Sequence, residues 1–133
     1  MNQEDAQNKD EQEDADFEIR FYEGLLAKNG DFVEGLMALG DLYTKKGFYE
    51  KGLEIDKKLS QLRPDDPFVF YNLACSYSLL HKVDLAFGAM KLAVQNGYDN
   101  FVYLEQDQDM SNLLEDPRFQ DYLQSVKVKS GRI

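Results

Sequence analysis

Oxygen-bearing side chains at alternate positions open a calcium loop, and Asp107, Asp109 and Ser111 have that spacing. Such a loop next needs a glycine for its sharp turn and later a closing glutamate. Asn112 and Arg118 hold those two places, so the stretch reads as a turn with a helix cap. His81 is the sole histidine and Cys75 the sole cysteine. A transition-metal site or a Cys–His nucleophile needs a further ligand or base, and no second histidine or thiol exists to supply one. His81 then reads as a solvent-facing turn residue and Cys75 as a buried or groove-lining one. Asp65 and Asp66 read as solvated loop charge, and no glycine-rich phosphate loop occurs. The expectation is no catalytic residue, no metal ligand, no cofactor and no enzyme.

The elements that carry these residues must come from 133 residues, a length that suggests one domain, with 43% hydrophobic and 13% aromatic content to build a core. No apolar run is long enough to span a bilayer, and the acidic opening MNQEDAQNKDEQEDAD is not a secretory signal. A single cysteine forbids an intrachain disulfide and fits a reducing cytoplasm. Net charge is -10. Seven of the acids (Glu4, Asp5, Asp10, Glu11, Glu13, Asp14 and Asp16) stand against Lys9 at the start of the chain. Such a surface repels nucleic acid and anionic membrane, so neither is an expected partner. Residues 1–15 have too little apolar content to fold and are expected to be a disordered acidic tail.

Shifted by 34 residues, the chain matches itself without a gap. Leu36 lands on Phe70, Leu39 on Leu73, Gly40 on Ala74, Tyr43 on Tyr77, Gly52 on Ala86 and Leu53 on Phe87. Val33 to Lys45 has one apolar helical face, and Gly47 can supply the left-handed turn that ends it. Tyr49 to Leu62 is a second helix, stopped by Pro64. Phe68 to Leu80 and Asp84 to Gln95 repeat the pair, with Asp84 as N-cap. Later, Asp116 as N-cap and Pro117 start a helix whose apolar face is Phe119, Leu123 and Val126.

A helix-turn-helix of this length with Leu39-Gly40-x-x-Tyr43, a small Gly52 and a closing Pro64 resembles the tetratricopeptide repeat, and Leu73-Ala74-x-x-Tyr77 with Ala86 resembles it again. The second unit lacks the glycine before its second helix and the final proline, and Asp56 and Met90 stand where the family has an aromatic. The resemblance implies an all-α fold of antiparallel helix-turn-helix repeats stacked as a short right-handed superhelix, about two and a half repeats plus a cap. The expected single domain over 16–133 then comprises a partial repeat helix (16–31), repeats at 33–66 and 67–100, and a capping segment at 101–127.

A second stripe on the helix from Phe68 to Leu80 remains: Phe68, Tyr71, Cys75 and Leu79, beside Asn72. In the family the first helix of each unit lines a concave peptide groove. The resemblance therefore implies a groove built from Met37, Asp41 and Lys45 of the first unit and from Phe68, Tyr71, Asn72, Cys75 and Leu79 of the second. Its occupant is an external peptide or helix, the chain's own C-terminal segment, or a second copy. A clamp for the C-terminal carboxylate of chaperones is not supported, because only Asn72 matches it. The expected function is a protein–protein interaction module: an adaptor, assembly factor or chaperone-like scaffold, monomeric or weakly homodimeric. The alternative is a structural or self-associating domain whose groove is self-filled. An open groove implies that Tyr71 is partly exposed and that Tyr71→Ala costs little stability, unlike Tyr77→Ala in the core.

Overall fold

Helix ends in this chain are set by two recurring devices. Asp66 precedes Pro67 and Asp116 precedes Pro117. Each carboxylate accepts the backbone N–H two residues on, from Phe68 at 2.9 Å and from Arg118 at 2.8 Å. Each proline takes the first helical turn, where its missing N–H leaves no bond unmade. The other device is a left-handed residue just past the helix. After Tyr43, Tyr77 and Ala93, the residue five positions on donates back to their carbonyls: Phe48 at 2.8 Å, Lys82 at 2.9 Å and Tyr98 at 2.9 Å. The residue between, at positive φ, is Gly47, His81 or Gly97. These are paired carbonyl bonds of the Schellman type.

The computed structural model describes residues 3–131, with side chains from residue 9 onward. Among the described residues there are helices and no strand. They are α1 (Gln3–Lys28), α2 (Val33–Lys45), α3 (Tyr49–Leu62), α4 (Pro67–Leu79), α5 (Val83–Gln95), α6 (Phe101–Gln106), a 3-10 turn (Gln108–Met110), α7 (Ser111–Leu114) and α8 (Pro117–Lys129). The breaks fall where Gly47, Pro64, His81-Lys82 and Gly97 predict them. One cap differs: α5 starts at Val83 with Lys82 as N-cap, and Asp84 instead pairs with Arg118 at 2.6 Å.

First helices begin at Val33, Pro67 and Phe101, and second helices at Tyr49, Val83 and Pro117, so the spacing of 34 persists into the segment expected to be a mere cap. Residues 101–114 occupy the first-helix place of a third unit, broken into α6, the 3-10 turn and α7. Ser78 of α4 ties this segment to the preceding first helix. Asn112 donates to the Ser78 carbonyl at 2.8 Å, and the Leu113 N–H donates to the buried Ser78 hydroxyl at 3.3 Å.

The first helix also differs from expectation. Residues 1–15 read as a disordered tail, yet from Gln3 the chain is helical and runs unbroken to Lys28, with Met1 and Asn2 outside the described residues. Glu, Gln, Ala and Lys are good helix formers, and acids near a helix N-terminus are favoured by its dipole. The packed half of α1 supplies the nucleus, so each added residue costs only propagation. The composition argument concerned burial, and there it holds: the side chains at 9–14 are exposed.

By its contacts the chain falls into two compact units, Met1–Leu62 and Arg63–Ile133. A repeat chain makes its contacts locally, and the division falls at the Pro64 linker. In the first unit Ile19 of α1 is buried with Leu39 and Tyr43 of α2, with Tyr22, Leu26 and Ile55 packed around them. Tyr43 donates to Glu23 at 2.6 Å, and Lys46 pairs with Asp16 at 2.9 Å. Gly40 is small because a Cβ there would stand 3.1 Å from Cγ2 of Ile55 on α3. In the second unit its counterpart Ala74 is fully buried, as are Ala86, Met90 and Phe119.

Two substitutions test this account by thermal melting. Ala74→Leu is expected to destabilise by about 1 to 3 kcal/mol through overpacking. His81→Gly is expected to stabilise by about 0.5 to 1 kcal/mol, because a left-handed residue with a Cβ is strained and the gain exceeds the added unfolded-state entropy.

Candidate functional site

The α4 stripe divides between exposure and burial. Phe68 is 61% exposed and Asn72 is exposed, while Cys75 and Leu79 are half-buried. Tyr71, expected to be a partly open anchor, is only 5% exposed. Its cover comes from its own chain, from the segment that follows α5 rather than from residues 117–133. The Tyr71 ring stacks on Tyr98 with centroids 4.5 Å apart and planes 16° apart, and Tyr103 of α6 lies 6.0 Å away. Its hydroxyl donates to Asp107 Oδ2 at 2.6 Å, and Cys75 Sγ lies 3.7 Å from the same oxygen.

Asp107 is held from the other side. Its Oδ1 accepts the Asp109 N–H at 3.0 Å, which makes it the N-cap of the 3-10 turn. The first member of the apparent calcium loop thus caps the turn that holds the second, and its other oxygen is spent on Tyr71. Burial, then the bond to Asp107, pushes the Tyr71 hydroxyl far above the ordinary phenol range. Burial pushes Tyr98 up to about 12. Tyr103 is raised chiefly by the nearby Asp107 charge. All three are neutral donors and stacking surfaces at physiological pH, and none is poised to accept a proton.

Outside this buried knot the surface is open. Phe68, Asn72, Tyr98, Asn100 and Tyr103, with the edge of Tyr71, line a cleft of about 350 Å³. Phe68 meets Tyr98 edge-on at 6.2 Å, and Tyr103 is 56% exposed. Asn100 is fixed as the N-cap of α6, its side chain accepting the Tyr103 N–H at 3.1 Å. The cleft offers aromatic faces, an apolar floor and the amide of Asn72. That equips it to grip an apolar side chain and a neighbouring peptide group.

In the first unit, Met37, Asp41 and Lys45 share one face of α2. Met37 is 41% exposed, and Asp41 and Lys45 pair with each other at 3.0 Å in the solvent. Sequence reasoning did not find Tyr98, Asn100 or Tyr103, and it read Asp107 as part of a turn with a helix cap. One signal was available. Asp107 falls two repeats after Leu39 and one after Leu73, and a carboxylate in a core position requires a buried donor. Tyr71 is that donor.

No family model matches the chain. It is 32% identical over 96 residues to a chloroplastic protein of Arabidopsis thaliana, a match covering 70% of this chain and 27% of that protein. The chain thus spans about a quarter of the length of the curated relative it matches. Among solved structures, the crystal structure of MamA, a tetratricopeptide-type protein, aligns with a TM-score of 0.62 at 20% identity, covering 99% of this chain and 86% of that one.

Tyr71→Ala is expected to cost about 3 to 5 kcal/mol as a buried aromatic, reversing the open-groove expectation, and Tyr71→Phe about 1 to 2 kcal/mol for the lost hydroxyl bond. Because the folded-state pKa is raised above the ordinary 10.0, this contribution is full below that pH and falls away as pH rises through it. Melting midpoints measured from about pH 8 to about pH 11.5, a range that brackets the free phenol, should fall less steeply for Tyr71→Phe than for the wild type.

Proposed function

On the tetratricopeptide fold that this chain shares with MamA, we propose that it is a protein–protein interaction module, an adaptor or assembly scaffold rather than an enzyme, that docks a peptide or helix at the α4–α6 cleft. The carrying observation is the cleft itself. Two aromatic side chains, Phe68 and Tyr103, stand more than half exposed on a base made rigid by the Tyr71–Tyr98 stack and the Asp107 bond. Exposed aromatics on a rigid base are the anchors that bind with little loss of side-chain entropy. The polar partner of such a ligand is its backbone, met by the Asn72 amide. The face of Met37, Asp41 and Lys45 on α2 is a second candidate surface of the same kind.

A specific observation favours a division of the groove. The Tyr71 part of the α4 stripe is covered by residues of the 98–107 segment, and the Phe68 part is open. The ligand is therefore a short segment seated on the outer rim. A single cysteine allows no intrachain disulfide, which supports a reducing compartment, the cytoplasm first.

Selection of a displayed random-peptide library on the immobilised chain, followed by calorimetry, tests this. Peptides rich in aromatic or large aliphatic residues are expected. Phe68→Ala should melt within about 0.5 kcal/mol of the wild type, being exposed, and lose more than about 2 kcal/mol of peptide affinity. Recovery of no peptide, or of peptides whose affinity ignores Phe68 and Asn72, would sink the proposal.

A further inference from the structure

Helix α1 has an apolar stripe that nothing among the described residues covers. Phe17 is 64% exposed, Phe21 52% and Leu25 36%, in a row at helical spacing. The repeat interval explains why. One unit later Phe21 and Leu25 become Ile55 and Leu59. Ile55 lies against Gly40 of α2, and Leu59 is buried. Two units later they become Ala89 and Ala93, also buried. The counterparts of Phe17, Lys51 and Leu85, stay exposed, so the inward face of the later second helices matches the Phe21–Leu25 part of the stripe. Helix α1 is a second helix by position, and its Phe21–Leu25 face stands open among the described residues.

The charges on this face point to what covers it. Asp10, Asp14, Phe17, Phe21, Gly24 and Lys28 follow alternate steps of four and three and so form a seam along one helix face, apolar at Phe17 and Phe21 in its middle. The seam is acidic at its N-terminal end and basic at its C-terminal end. Gly24 leaves room for close approach, with nothing within 4 Å of the place a Cβ would take. Laid parallel, two such seams would set Asp10 and Asp14 against their own copies. Laid antiparallel, they set Phe17 and Phe21 of one copy against Phe21 and Phe17 of the other and bring each Lys28 beside the other's acidic end. The helix dipoles then also run in opposition.

We propose that this face is a self-association surface on which α1 pairs antiparallel with α1 of a second copy of the chain. The two copies bury the aromatic stripe that each leaves exposed and match acid to base at both ends. The surface belongs to the first unit and the α4–α6 cleft to the second, so loss of one leaves the other testable.

Sedimentation velocity of the full chain over a wide concentration range is the test. A concentration-dependent dimer is expected. Phe17→Ala with Phe21→Ala should raise the dimer dissociation constant at least about thirtyfold while leaving the helical circular dichroism unchanged, since both residues are exposed. Lys28→Glu should weaken the dimer, and adding Asp10→Lys and Asp14→Lys to the same chain should restore it, as only the antiparallel pairing allows. A chain that stays monomeric throughout, a dimer indifferent to Phe17 and Phe21, or a triple charge variant that stays weak would each overturn the proposal.

Discussion

A short hydrogen bond from the Tyr71 hydroxyl to the Asp107 carboxylate organises the second unit. By repeat position Asp107 falls where Leu39 and Leu73 lie buried, yet it stays half-buried, and its carboxylate accepts a bond from a buried donor. Tyr71 supplies the donor. To meet it, the backbone at Asp107 turns extended, which ends α6 and starts the 3-10 turn that Asp107 also caps. The first helix of the third unit is therefore broken. Its phase survives, and Met110, Leu113 and Phe119 still reach full burial.

The same bond decides what the α4 stripe can do. Drawing Tyr71 inward under Tyr98 and Tyr103 removes it from the surface and gives Phe68 a rigid ring to lean on. The polar knot beneath and the open cleft above are thus two sides of one packing arrangement. The residue that shapes this surface, Asp107, is the one that breaks the repeat.

Close approach of paired helices is the second constraint. Gly40 and Gly52 in one unit and Ala74 and Ala86 in the next are small where a larger side chain would meet a neighbour. These contacts are local in sequence, so each helix pair closes on itself, and the chain needs no long-range pairing to set its register. On α1, Phe21 and Leu25 stay exposed where their later counterparts Leu59, Ala89 and Ala93 are buried.

Much of this was legible in the residues alone. The interval of 34, the left-handed Gly47, the stop at Pro64 and the Asp-Pro start of α8 are local signals, each acting within a turn of helix, and the structure keeps them. The small residues at Gly40 and Ala74 were legible for the same reason. Tertiary structure alone decided the fate of Tyr71, because helical periodicity cannot tell a groove-facing ring from one covered by residues about thirty positions away. It also decided that His81 takes the left-handed place of Gly47, that Asp84 serves Arg118 and not a cap, and that α1 is helical through its acidic start. Composition measures what a segment can bury. A helix extended from a packed neighbour needs no burial of its own.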